Sequence, residues 1–238
     1  MFQIKNVTCR YEEQTVFESV SVDIKKGQYV ILMGENGQGK STFIDLITGF
    51  KKANQGSVLF EGQSLNRLLK DNSSKHYYYA RLGIIFQDVD IQLFNQTVYD
   101  EVAFGLRQLG LDKETIKIRV EDVLKLLKIE QLVKRVPYQL SGGEKKKVAL
   151  ASILVMNPDV YIMDEPFNNL AREADHLFKE IFSQLHQAGK TIIMSSHHFK
   201  HVHDKQADVL LFRQNGVTFF PASEVNHNPE VRDLLSHY

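Results

Sequence analysis

Residues 34–42 read Gly34-Glu35-Asn36-Gly37-Gln38-Gly39-Lys40-Ser41-Thr42, bringing three glycines, a lysine and two hydroxyls together. Gly34, Gly39, Lys40 and Ser41 satisfy the spacing G-x-x-x-x-G-K-[ST]. The apolar run Tyr29-Val30-Ile31-Leu32-Met33 before it predicts a strand. The run Phe43 to Thr48 after it predicts a helix that stops at Gly49. Strand, glycine loop and helix in that order suit the binding of phosphate. Glycines let the backbone turn tightly enough to aim several N–H groups at phosphate oxygens. The helix start adds the positive end of its dipole. Lys40 would bring a full charge to the β- and γ-phosphates of a nucleotide, and the Ser41 hydroxyl could hold Mg²⁺.

A second group fits the same chemistry. Val160-Tyr161-Ile162-Met163 predicts a buried strand ending in Asp164-Glu165. One carboxylate could hold the water shell of Mg²⁺, and its neighbour could polarise a water for in-line attack on the γ-phosphate. An ordinary acidic turn before Pro166 is the plainer alternative. Gln87 closes another short apolar run, Leu82 to Phe86, where the carboxyl end of a strand would meet a ligand. Ser141-Gly142-Gly143-Glu144 has the spacing of a capping box. Two glycines in a first helical turn cost about 1 kcal/mol each relative to alanine, so they suggest close backbone approach to a second anion. Two phosphate motifs imply either two nucleotides or one nucleotide shared across a dimer.

Other residues carry weaker signals. Tyr11 is either a half-buried aromatic at a strand end or a flat platform for adenine. Lys145-Lys146-Lys147 reads as a solvated helix face rather than a nucleic-acid patch. His197, His198, His201 and His203 cluster in sequence, with His197 and His201 at i, i+4 spacing. No cysteine or carboxylate set joins them for zinc, and His197, at a strand end, is better suited to contact the γ-phosphate and position water.

Several elements must position these groups. Phe2, Ile4 and Val7 mark a first strand, followed by a polar turn from Arg10 to Gln14. Val16, Val20, Val22 and Ile24 mark a second, with a break expected at Glu18-Ser19. Val58 to Phe60 is a short strand before a tight turn at Glu61-Gly62, and residues 65 to 76 read as a surface helix or loop. From 88 to 156 the pattern is helical. Thr97 with Asp100 opens one helix, Asp112 caps the next, and Ser141 starts a third. Ile116, Val120, Val123, Leu124 and Leu127 follow the helical period. Leu177, Phe178, Ile181, Phe182 and Leu185 mark a later helix, and Thr191 to Met194 a strand. Asn215-Gly216 between Val209–Phe212 and Val217–Phe220 predicts a hairpin.

Composition narrows the options. Lys+Arg and Asp+Glu are both 29 in 238 residues, so a generic nucleic-acid binder is disfavoured. Hydrophobic content of 43% supports a globular core. The lone Cys9 cannot form an intramolecular disulfide and fits a reducing cytoplasm. Met1 to Arg10 reads as a strand, not a signal segment, and no apolar run approaches the roughly 18 residues of a membrane span. A membrane role would therefore need a partner protein.

Taken together, these motifs resemble those of the ATPase subunit of ABC transporters along nearly the full length. GENGQGKST is similar to Walker A, YIMDE to Walker B and LSGGE to the ABC signature, with Gln87, His197 and Tyr11 matching the Q-loop glutamine, switch histidine and A-loop aromatic. The resemblance implies an α/β P-loop NTPase. Its RecA-like core (1–87 and 157–238) would carry an antiparallel β subdomain and an inserted helical subdomain (about 88–156), all within one nucleotide-binding domain, 1–238. It implies a head-to-tail dimer sharing two ATPs, each held by Tyr11 and Gly34 to Thr42 of one subunit and Ser141 to Glu144 of the other. Glu165 would be the catalytic base, aided by Lys40, Gln87 and His197, with Ser41, Gln87 and Asp164 around Mg²⁺.

The run FQDVDIQLFNQTVYDEVAFGLRQLGL further resembles the energy-coupling factor (ECF) group of vitamin and cobalt or nickel importers. That implies a motor subunit at the cytoplasmic membrane face. Its partners would be a second ABC ATPase (paralogue or self), a polytopic transmembrane coupling subunit and a separate substrate-binding membrane protein, with no nucleic acid. An exporter ATPase and a soluble ABC ATPase of DNA repair or translation are the alternatives. The chain departs from the family pattern at Gln38, at Phe167, and at Asn168-Asn169-Leu170-Ala171, where the family's D-loop ends in Leu-Asp. Ala171 suggests an asymmetric pair with a paralogous ATPase. The chain is also short for the group, with the C-terminal extension common there expected to be absent or reduced.

Overall fold

The computed structural model of the protein describes residues 1–12, 14–199, 206–214 and 216–238. Strands β1 (Phe2–Tyr11) and β2 (Gln14–Ile24) form an antiparallel pair, with Ile4 opposite Val22 and Tyr11 opposite Gln14. The break expected at Glu18-Ser19 is absent. Ser19 takes a φ of 51° and the register against β1 shifts between Val7 and Cys9, so a bulge absorbs the irregularity. Tyr11, expected in the turn, is the last residue of β1.

The chain continues through β3 (Tyr29–Met33), α1 (Lys40–Thr48), β4 (Gln55–Phe60), β5 (Gln63–Ser64), α2 (Leu65–Leu68), α3 (Asn72–Ala80) and β6 (Leu82–Ile85). The stretch expected as surface helix or loop thus holds α2 and the start of α3, which Asp71 caps by accepting the Ser74 N–H at 2.7 Å. A 3₁₀ turn at Val89–Ile91 precedes α4 (Val98–Gln108), α5 (Lys113–Leu126) and α6 (Gly142–Leu154). Thr97 and Asp112 cap α4 and α5, accepting the N–H groups of Asp100 and Thr115 at 3.0 and 2.9 Å. Then follow β7 (Val160–Met163), α7 (Arg172–Gln187), β8 (Thr191–Ser196), β9 (Ala207–Arg213), β10 (Gly216–Phe220), α8 (Ala222–His227) and α9 (Pro229–Ser236).

One sheet has the order β10-β9-β3-β8-β7-β6 and is parallel except for β10; the other is antiparallel, β2-β1-β4-β5. Strands covered on both faces read as continuous apolar runs, which is why YVILM and VYIM lack alternation. The side chains of β3 nonetheless divide between separate cores. Tyr29, Ile31 and Met33 join a core with α4, α5, α6 and α7, including Val102, Leu124 and Leu150. Val30 and Leu32 join a second core with α1 and the antiparallel sheet, including Phe2, Phe43 and Phe60. The strand that carries the glycine loop is therefore clamped from both sides.

Two glycines fix the path of that loop. Gly34 has φ 140°, and a Cβ there would meet the Phe212 carbonyl oxygen at 2.4 Å. Gly39 has φ 99°, and a Cβ there would meet Val16 Cγ1 at 2.6 Å. Among the described residues no helix is long and apolar enough to cross a membrane.

Candidate functional site

The C-terminal ends of β3, β6 and β7 open on a cavity of about 360 Å³, lined by Asn36, Gly37, Gly39, Lys40, Ser41, Thr42, Gln87, Asp164 and Glu165. Strand ends in a parallel sheet are where ligands sit in open α/β folds. The sheet thus gathers residues that lie up to 129 positions apart, Asn36 to Glu165.

Lys40 is the cation at the centre. It is buried, and its Nζ donates to the carbonyls of Gly34 at 2.7 Å and Glu35 at 2.9 Å. Burial lowers its pKa below the ordinary lysine value, opposed by the charges of Glu165 and Asp164. Two loop carbonyls therefore aim an ammonium into the cavity, where a phosphate could accept from it. The loop has no acidic side chain in the first turn of α1, so the dipole end there is open to an anion.

The carboxylates are held differently from each other. Asp164 Oδ1 accepts the Ser195 hydroxyl at 2.5 Å, and the same hydroxyl oxygen accepts the Glu165 N–H at 2.8 Å. Glu165 turns out of the strand with φ 49°, and its Oε1 lies 2.9 Å from His197 Nδ1 and 4.0 Å from Lys40 Nζ. Both carboxylates line the one cavity, with Asp164 tied to Ser195 and Glu165 to His197. Ser41, Gln87 and Asp164 supply a hydroxyl, an amide and a carboxylate to one cavity. That all-oxygen set fits a hard cation such as Mg²⁺, which binds through few protein ligands and keeps water.

The structure does not gather every expected residue here. Glu35 and Gln38 line a larger crevice, about 970 Å³, beside Phe212, Arg213 and Thr218. Glu35 reaches the site through its backbone carbonyl alone. Tyr11 is half exposed, with Lys51 Nζ 3.5 Å from the centre of its ring. Ser141 and Glu144 form a reciprocal capping box at the start of α6, with Ser141 N–H donating to Glu144 Oε2 at 2.9 Å. Ser141 and Gly142 are exposed and do not line the cavity. His201 and His203 lie outside the described residues.

Two residues of the site carry no assignment from sequence. Ser195 reads there only as a member of a strand end; its role comes from β8 lying beside β7. Lys146 departs from the solvated face expected of Lys145-Lys146-Lys147. It is buried, and its ammonium turns to the backbone that follows Glu165. Spacing carried that signal, because Lys146 shares a helical face with Ala149, Leu150 and Ile153, all buried.

The chain is similar to known proteins over most of its length. The family model described as ABC transporter matches residues 17–168. The nickel import ATP-binding protein LarO of Lactiplantibacillus plantarum is 41% identical over 203 residues, 85% of this chain and 84% of that protein. The energy-coupling factor transporter ATP-binding protein EcfA2 of Streptococcus sanguinis is 38% identical over 205 residues, 82% of this chain and 71% of that protein. Among solved structures, cbiO1 from Clostridium perfringens, described as part of the ABC transporter complex cbiONQ, superposes with a TM-score of 0.78 at 29% identity. The match covers 98% of this chain and 93% of that one.

Proposed function

The chain belongs to the ABC transporter family of ATP-binding proteins, and on that premise we propose that it drives an ECF-type importer of a vitamin or transition-metal ion through a partner membrane protein. It is an ATPase with the α/β P-loop fold of its family, an ATPase subunit of an importer-like transporter. The observation that carries the reading is the convergence of Lys40, Ser41, Gln87, Asp164 and Glu165 in one cavity, with His197 bonded to Glu165.

In this reading Lys40 and the N–H groups of Gly34 to Thr42 hold the phosphates, and Tyr11 stacks on adenine. Ser41, Gln87 and Asp164 hold Mg²⁺, which when bound neutralises charge developing on the transferred phosphoryl group. Glu165 takes a proton from the attacking water, and His197 orients Glu165 and faces the γ-phosphate. Ser141 to Glu144 close on the nucleotide of a partner subunit. The chain is then one nucleotide-binding domain, with 88–156 as its inserted helical subdomain.

Two features support the finer assignment. The relatives include a nickel import protein and an ECF ATP-binding protein. Beside Gln87, the apolar side chains of Ile91 and Phe94 are 70% and 67% exposed, and Phe94 packs edge-on against Phe104 at 5.1 Å. Buried Glu101 holds that loop, accepting the N–H groups of Phe94 and Asn95 at 3.0 and 2.8 Å. A loop fixed from within yet apolar outside suits a coupling subunit's helix. For the second ATPase we propose a paralogue, because Ala171 lacks the carboxylate that the family's D-loop presents across the dimer.

The test is recovery of the tagged full chain from native membranes in mild detergent. A polytopic membrane protein and a second ABC ATPase should copurify, and Phe94→Ser should lose the membrane protein while retaining nucleotide binding. Recovery from the soluble fraction alone, with ribosomal or DNA-repair proteins, would leave the ATPase standing and overturn the importer.

A further inference from the structure

The first turn of α6 carries two lysines that leave it in different directions. Lys145 Nζ reaches the carboxylate of Asp90 at 2.6 Å, in the 3₁₀ turn that follows Gln87. Lys146 is 9% exposed, and its Nζ donates to three backbone carbonyls: Glu165 at 3.1 Å, Pro166 at 3.4 Å and Asn168 at 2.6 Å. These carbonyls belong to one turn, which starts and ends in the left-handed region, with φ 49° at Glu165 and 58° at Asn169. Neither residue is glycine, so the turn needs support from outside itself. Three carbonyls aimed at one largely buried point repel each other. A lysine ammonium, with three N–H donors and no acceptor, satisfies all three at once.

We propose that Lys146 is a positioning residue for Glu165. Its ammonium rivets the turn 165–169 to the first turn of α6, so that Ser141 to Glu144 and the Glu165 carboxylate keep a fixed relation. Lys145 ties the same helical turn to the loop after Gln87 by a second link. Both loops that flank the cavity are thereby referred to one helix end. A shift of α6 on meeting a partner subunit would reach Glu165 through Lys146 without any change in the cavity wall. The inference rests on the reading of Glu165 as the catalytic base.

The test compares Lys146→Met and Lys146→Gln in the full chain, within the assembly it is purified with. Methionine keeps the length and removes every donor; glutamine keeps two. Two readouts are followed: amide hydrogen exchange over 165–170, and kcat and KM for ATP. In Lys146→Met, exchange should quicken about tenfold and kcat should fall about tenfold, with KM within about twofold of wild type. Lys146→Gln should fall between on both. Unchanged exchange and kcat in Lys146→Met would overturn the proposal, as would quickened exchange at wild-type kcat in either variant. Should Lys146→Met not fold, Lys146→Gln decides by the same pairing of the two readouts. Glu165→Gln is run alongside. If it keeps turnover, the base assignment itself fails. If it is inactive while Lys146→Met turns over normally, only the positioning role is lost.

Discussion

His197 Nδ1 lies 2.9 Å from Glu165 Oε1, and the same oxygen is 4.0 Å from Lys40 Nζ. One carboxylate oxygen thus stands between an imidazole and the ammonium of the phosphate loop, in a site where Glu165 is buried. Removing the negative charge at constant shape should separate binding from chemistry. In Glu165→Gln, steady-state turnover should drop by about a hundredfold or more, with nucleotide affinity kept. Near-normal turnover, measured by phosphate release, would contradict the role of base.

The Ser195 hydroxyl donates to Asp164 and accepts from the Glu165 N–H, so one side chain sets both carboxylates. Ser195→Ala leaves a buried N–H and a buried carboxylate oxygen without partners, a cost of about 1–3 kcal/mol. The variant should melt earlier and need more Mg²⁺ to reach half-maximal turnover. Magnesium titrations that superpose on the wild type would remove Ser195 from the site.

Ala171 sits at the N-cap of α7 and offers no side-chain acceptor. Aspartate there would accept a free N–H and face the dipole, worth about 1 kcal/mol or about 2–4 °C in melting temperature for a domain of this size. Ala171→Asp should therefore raise Tm, and in an asymmetric pair it should also increase ATP-dependent self-association of the purified chain. A higher Tm with no change in sedimentation would favour a local role for this position, against the paralogue proposal.

The Ser141 hydroxyl and N–H hold the Glu144 carboxyl below the ordinary glutamate value of 4.5. A carboxyl with a lowered folded pKa contributes stability that is fully present above the unfolded value and is lost as pH falls through the folded one. The Tm gap between wild type and Glu144→Gln should be constant at neutral pH and close on acidification through and below the ordinary glutamate value of 4.5. A gap that widens in acid would mean that Glu144 is not acting through its charge.

Much of the site is legible in the sequence because its members are contiguous. Gly34 to Thr42 and Asp164-Glu165 each occupy a single strand end, and local spacing carries them. His197 is legible for the same reason. Ser195 and Lys146 are harder, since their partners lie across a strand pair and across a helix–loop contact. Three lysines in a row also hide the one whose helical position faces inward. The bulge at Ser19 reads as a break because polar Glu18-Ser19 interrupts the alternation, whereas the ladder with β1 carries the strand through.

The strand that aims the phosphate loop has β8 along one edge and β9 along the other, and Phe212 of β9 roofs Gly34. Residues 17–168 contain the loop and both carboxylates but neither flanking strand. A fragment cut to those limits would leave β3 with two raw edges open to self-association and the loop without its ceiling. The smallest unit that can be moved, split or grafted as a working phosphate binder is therefore drawn by ladder partners, and it must carry the chain at least through β9.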